Sequence, residues 1–138
     1  MTARVVDASV VVAALVDSSA IGRWAERELE AESLAAPHLM PVETANILRR
    51  AGLHGELSAD ASSVAHADLL DLRVELFPYE PLAERVWTLR DTVTAYDAWY
   101  VALAEWLGAP LSTLDARLAR APGPRCAFRT PAGLLTSS

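Results

Sequence analysis

Four acidic residues carry the chemistry that this sequence offers. Asp7 directly follows the apolar pair Val5-Val6, and Asp115 follows Leu111-Ser112-Thr113-Leu114. Glu43 stands just after Pro41, and Asp97 lies within Ala95-Tyr96-Asp97-Ala98-Trp99-Tyr100. A carboxylate in so apolar a stretch is costly to bury unless something pairs with it, and few basic residues lie near Asp97 in the sequence. A divalent cation would serve. Clustered carboxylates without His or Cys ligands select hard, oxygen-loving ions such as Mg2+ or Mn2+. Such an ion bridges carboxylates and phosphate oxygens, so the implied reaction is hydrolysis of a phosphodiester. Ser9, Ser112 or Thr113 could orient a carboxylate or a water by hydrogen bonding.

Each acid alone has an ordinary explanation. Carboxylates in a first helical turn gain roughly 0.3–1 kcal/mol from the helix dipole. Thr94-x-x-Asp97 and Ser112-x-x-Asp115 both match the capping-box outline, Ser9 reads as a helix cap and Thr113 as a turn residue. Four acids from four distant segments are harder to assign to capping alone.

The elements that must position them alternate in kind. Strands are expected at residues 4–6, 34–36, 74–77, 110–112 and 127–128. Helices are expected at residues 9–16, 21–32, 41–51, 58–72, 80–89, 95–107 and 116–120. Pro41 opens one helix with Gly52 closing it, the usual asymmetry. The 58–72 helix is capped by Ser58 or Asp60, and Asp60, Asp68 and Asp71 belong to its wet face. Residues 95–107 are apolar nearly all round, so that helix is buried on most sides, with Trp99 and Trp106 assigned to the core. Alternating short strands and helices imply an α/β fold, a short-stranded parallel sheet flanked by helices as an α/β/α sandwich. Ligands in such sheets bind beyond the carboxyl ends of the strands, where Asp7 and Asp115 are expected.

Composition narrows the function further. The chain has 138 residues, 52 % hydrophobic and 22 % charged, with net charge −6, as expected of one domain over residues 1–138 with a loose tail from about 130. All 12 basic residues are arginine. Without lysine there is no P-loop and no Schiff-base nucleophile, and a phosphoacceptor receiver or haloacid-dehalogenase site lacks its lysine as well. The acidic balance argues against tight non-specific nucleic-acid binding but not against meeting phosphate through metal ions. The apolar run at residues 10–16 is too short for a bilayer, which needs about 20 residues. Cys126, the single cysteine, fits a reducing compartment, and an idle thiol is its expected state. The histidines His38, His54 and His66 form no zinc pattern, and no Gly-x-Ser-x-Gly elbow is present.

Four motifs together carry a family resemblance. Val5-Val6-Asp7-Ala8-Ser9-Val10-Val11-Val12, Pro41-Val42-Glu43-Thr44-Ala45-Asn46-Ile47-Leu48-Arg49-Arg50, the segment from Thr94 through Asp97 to Glu105, and Ser112-Thr113-Leu114-Asp115-Ala116-Arg117-Leu118-Ala119 resemble, in order, the motifs of PIN domains. Length and spacing are similar to the VapC toxins of VapBC toxin–antitoxin pairs. The resemblance implies a Mg2+- or Mn2+-dependent endoribonuclease with Asp7, Glu43, Asp97 and Asp115 as metal-binding catalytic acids, and Ser9 and Thr113 as accessory groups. It further implies structured RNA (tRNA or rRNA) as substrate, a VapB-like antitoxin as partner and a homodimer; a cytoplasmic location and no membrane association are expected from the single cysteine and the short apolar run. Arg50, seven residues after Glu43, shares its helix face and is a candidate RNA contact. The alternative is a non-catalytic metal- or phosphate-binding PIN-like domain that acts through protein partners.

Overall fold

The β-branched pair Val5-Val6 near the start and the buried Leu111-Ser112 form the centre of a parallel sheet. The computed structural model describes residues 3–133. Five strands, β1 (Ala3–Val6), β2 (Ser33–Pro37), β3 (Glu75–Phe77), β4 (Leu111–Ser112) and β5 (Phe128–Arg129), lie in the order β3-β2-β1-β4-β5. Every pairing is parallel. Among the described residues seven α-helices connect or flank them: α1 (Ala8–Val16), α2 (Ala20–Glu28), α3 (Leu39–Leu53), α4 (Ala59–Leu70), α5 (Ala83–Thr88), α6 (Ala95–Leu107) and α7 (Ala116–Arg120). A 3-10 turn at Glu80–Leu82 leads into α5. Among the described residues no single helix is long and apolar enough to cross a membrane.

The strand order reverses at β1. From β1 the chain builds outward through β2 and β3, then returns to add β4 and β5 on the other side. Connections therefore leave β1 and β4 in opposite directions and open a crevice at their carboxyl ends. Asp7 and Thr113 are the first residues beyond those two strands. Val5 and Val6 pair with Leu111 and Ser112, and the Asp7 N–H donates to the Ser112 carbonyl at 3.2 Å.

The central core packs Val5, Val6, Ala36, Met40, Leu103 and Leu111. Helix α1 is apolar on two sides for a reason: Val11 faces this core, while Val10 and Ala13 pack on Ala25 of α2 and on Trp24. Gly22 permits the α1–α2 approach, because a Cβ there would lie 1.7 Å from the Asp17 carbonyl oxygen. At the end of α2, buried Glu28 accepts from Ser112 Oγ at 2.7 Å and pairs with Arg129 at 2.7 Å and Arg4 at 3.0 Å. Burial alone would raise the Glu28 pKa, but the Arg129 and Ser112 hydrogen bonds and the Arg4 charge together hold it below its ordinary value.

Several boundaries differ from the sequence expectation. Asp7, not Ser9, caps α1, since its carboxylate reaches the Val10 N–H. Helix α2 ends at Glu28, because residues beyond it turn into β2. Helix α3 starts at Leu39, so Glu43 lies beyond its first turn. Gly52 is inside α3 rather than closing it, at a close approach to α4, where a Cβ would sit 2.9 Å from Ser62 Oγ. Ser112 belongs to β4 and points its hydroxyl to Glu28, so Ser112-x-x-Asp115 is no capping box. Asp115 itself caps α7. Thr94 does cap α6 through the Asp97 N–H, and Gly108 ends that helix in the left-handed region at φ 63°. Ser58 caps α4, and Asp60, Asp68 and Asp71 are exposed. Trp106 is 58 % exposed and so not core, while Trp99 is part-buried against the core.

Candidate active site

Asp7 is held from three sides. Val10 N–H and Ser9 Oγ donate to its Oδ1 at 3.2 and 2.5 Å, and Thr113 Oγ1 donates to its Oδ2. These two hydroxyls also bind the chain that leaves β4. Ser9 Oγ accepts from the Leu114 N–H at 3.1 Å, and Thr113 Oγ1 accepts from the Asp115 N–H at 3.0 Å. Ser9 and Thr113 therefore lock the ends of β1 and β4 together around one carboxylate. That carboxylate is buried, and among the described residues no salt bridge reaches it. Burial pushes its pKa up to about 6; the Ser9, Thr113 and Val10 hydrogen bonds oppose the rise, and the Asp97 charge adds to it.

Helix α6 contributes two groups. Asp97, half-buried in its first turn, is raised above the ordinary carboxylate value by burial and by the like charges of Asp115 and Glu43. Tyr100 lies one turn on, the spacing that places two side chains on one face. Its hydroxyl, on a side chain 1 % exposed, donates to Glu43 Oε1 at 2.6 Å. Burial and the Glu43 bond raise the phenol pKa, so Tyr100 remains a donor. Asp115 Oδ1 accepts from the Arg117 and Leu118 N–H groups at 2.9 and 3.2 Å, which fixes the carboxylate at the start of α7.

The four acids are thus brought to one electrostatic neighbourhood from β1–α1, α3, α6 and β4–α7. The like charges of Asp115 and Glu43 act on Asp97, and that of Asp97 acts on Asp7. Asp97 and Asp115 open onto a cleft of about 550 Å³, bounded also by Thr94 and Arg117. Among the described residues no three acidic, His or Cys side chains converge into a ready-made metal cage. That still fits a hard cation, since Mg2+ commonly takes one or two carboxylates, keeps several waters and completes its shell with substrate phosphate. The donor set is all oxygen, and Asp7 is a buried carboxylate without a cationic partner among the described residues.

The PIN domain family model matches residues 4–124. The chain is a PIN-domain protein. It is 45 % identical over 127 residues to Ribonuclease VapC1 of Mycobacterium tuberculosis, covering 91 % of this chain and 95 % of that protein, and it belongs with the VapC ribonucleases of this family. In fold, PAE2754 from Pyrobaculum aerophilum aligns with a TM-score of 0.70 at 26 % identity, over 98 % of this chain and 88 % of the other. VapBC2 from Rickettsia felis, solved bound to a DNA fragment from its promoter, aligns with a TM-score of 0.65 at 12 % identity over 94 % and 98 %. PIN-domain ribonucleases as a family depend on divalent metal, and the carboxylates of this PIN domain offer ligands of that type.

Other residues separate from the site. Arg50 is exposed and lines a different depression with Ile47, His54 and Glu56. Cys126 packs against the core, and burial pushes its thiol up to about 11, so it is idle at neutral pH. Trp24 packs on Val10, Ala13 and Ala25, whereas Trp87 is 65 % exposed beneath the Arg90 guanidinium. Sequence reasoning missed two groups. Tyr100 had a signal, its three-residue spacing from Asp97 on an apolar helix. Glu28 had none, because its partners Ser112 and Arg129 lie 84 and 101 residues away.

Proposed function

We propose that this PIN domain is a divalent-metal-dependent endoribonuclease that acts as the toxin of a type II pair, with Asp7, Glu43, Asp97 and Asp115 as its catalytic acids. One observation supports the assignment of residues: the buried Asp7 carboxylate is clamped by Ser9 and Thr113 where β1 and β4 end, Tyr100 of α6 holds Glu43, and Asp97 of the same helix opens with Asp115 onto one cleft. The similarity to Ribonuclease VapC1 supports RNA as the substrate.

The protein's part in the reaction is to place negative oxygens and hold them still. Ser9, Thr113 and the Val10 N–H fix the Asp7 carboxylate. Tyr100 engages one oxygen of Glu43, and the N-cap bonds of α7 engage one oxygen of Asp115. Glu43 and Asp115 each keep a second oxygen for a ligand. Asp97 sits among the other three, so bringing their charges together without a cation is unfavourable, and that repulsion is relieved when Mg2+ or Mn2+ binds. Asp7, Glu43, Asp97 and Asp115 would hold the ion, which would supply neutralisation of the charge that builds on the phosphodiester oxygens. Ser9 and Thr113 act through Asp7.

The finer reading takes structured RNA, tRNA or rRNA, as substrate, with arrest of translation as the outcome. It includes a VapB-like antitoxin that covers the acidic cleft, a homodimer, and work in the cytoplasm. The decisive assay titrates Mg2+ and Mn2+ into purified, antitoxin-free protein with total cellular RNA, alongside chelator and Asp97→Asn. Metal-dependent cuts at a few discrete sites, lost in Asp97→Asn, are expected. A folded protein that binds metal but cuts no RNA pool would overturn the reading in favour of a non-catalytic binding domain.

A further inference from the structure

The cleft at Asp97 and Asp115 is not walled by acids alone. Arg117 and Arg120 line it as well. Buried Leu118 anchors α7 to the core, and the i, i+3 spacing of the two arginines makes them neighbours on the helix surface. Both are exposed. Arginine in a last helical turn ordinarily complements the helix dipole, but α7 has five residues and little dipole to complement. Among the described residues neither guanidinium takes part in a salt bridge.

Four of the other arginines are already engaged. Arg4 and Arg129 hold Glu28, Arg85 holds Glu105, and Arg90 stacks on Trp87. A chain of net charge −6 repels a polyanion as a whole, and the clustered acids strengthen that repulsion where the substrate must enter. Local cations beside the acids are needed to hold the strand.

We infer that Arg117 and Arg120 bind phosphates of the RNA strand that flank the scissile phosphodiester. They are substrate-positioning residues, and the assignment rests on the nuclease reading above. Guanidinium forks match phosphate oxygens in a bidentate manner, and the acids of the same cleft suit phosphate chemistry. An RNA strand therefore fits this wall better than an acidic protein segment.

The test uses the full chain with Arg117→Gln and Arg120→Gln combined, and Arg27→Gln as a control on an exposed residue of α2 outside the cleft. Binding to bulk tRNA is measured in chelator across a salt series, and cleavage of total RNA is measured with metal. The double variant is expected to bind about 10-fold more weakly, with the slope of log K against log salt reduced by about 1–2. KM for cleavage should rise with kcat within a few fold, and Mn2+ affinity and thermal midpoint should stay as in the wild type. Lys at both positions should restore the salt slope.

Wild-type affinity and slope in the double variant would overturn the inference, as would an equal loss in Arg27→Gln. So would wild-type RNA binding with loss of antitoxin binding instead, or the absence of measurable RNA binding by the wild type at low salt. If the wild type cuts no RNA but binds tRNA with a slope that depends on these arginines, the nuclease reading fails and the phosphate-binding site stands.

Discussion

Asp7 is ionised at neutral pH against the preference of its surroundings. Its folded pKa of about 6 lies above the ordinary carboxylate value of 3.8, so between those values the folded state holds more protons than the unfolded one. Stability therefore falls as pH rises through that window, by up to about 3 kcal/mol at one pKa unit per 1.4 kcal/mol. Asp7→Asn keeps an acceptor for the Ser9 and Val10 donors and removes the charge. Urea denaturation of metal-free protein should show the variant gaining on the wild type as pH rises from about 4 to 7, while cleavage falls by about 100-fold or more. A variant that loses stability at pH 7 relative to pH 4, compared with wild type, would refute the sign. Tyr100→Phe tests the other buried contact. Losing the donor to Glu43 should weaken Mn2+ binding about 10-fold by calorimetry, as for removal of a group that orients a ligand, and should cost roughly 1 kcal/mol of stability. Unchanged metal affinity would show that Glu43 needs no such support.

At the scale of elements, the site depends on how α1 and α2 pack beneath it. Asp7 caps α1, and α1 is seated on α2 where Gly22 meets the Asp17 carbonyl. Gly22→Ala would place a methyl 1.7 Å from that backbone oxygen, which only a backbone shift can relieve. We expect destabilisation of about 1–3 kcal/mol, as for overpacking in a core, read as a lower urea midpoint with an unchanged m-value. An equal or higher midpoint would mean that the two helices slide apart freely. The same scale explains the helix boundaries. Pro41 and Gly52 suggested a helix between them, yet α3 extends past both to Leu39 and Leu53, because Pro is tolerated early in a helix and Gly52 serves the close contact with α4.

Across the whole molecule, metal binding and folding are coupled. An ion that binds only the folded acids stabilises by RT ln(1 + [L]/Kd), about 1.4 kcal/mol at ten times Kd. The thermal midpoint should therefore rise with added Mn2+ and fall back with chelator. The gain should shrink below about pH 6, where protons compete for Asp7, and should vanish in Asp97→Asn. A metal-induced gain that is the same at pH 5 and pH 7.5 would count against a carboxylate site.

The sequence by itself determined the strand–helix alternation, the parallel α/β class, the four acids in their motif contexts and the cap-to-glycine span of α6. Those features are local. Apolar runs, caps and a terminal glycine act within a few residues, and in the chain Asp7 follows β1 directly while Asp115 comes three residues after β4. Tertiary structure alone decided that Asp97 feels the charges of Asp115 and Glu43 and is felt by Asp7, and that Tyr100 meets Glu43 across 57 positions. It also decided that Glu28, rather than open solvent, receives Ser112, Arg4 and Arg129. It placed Arg117 and Arg120 on the cleft and Arg50 away from it. Such contacts depend on strand order and helix seating, which arise from the packing of the whole core, and no periodicity within one segment encodes them.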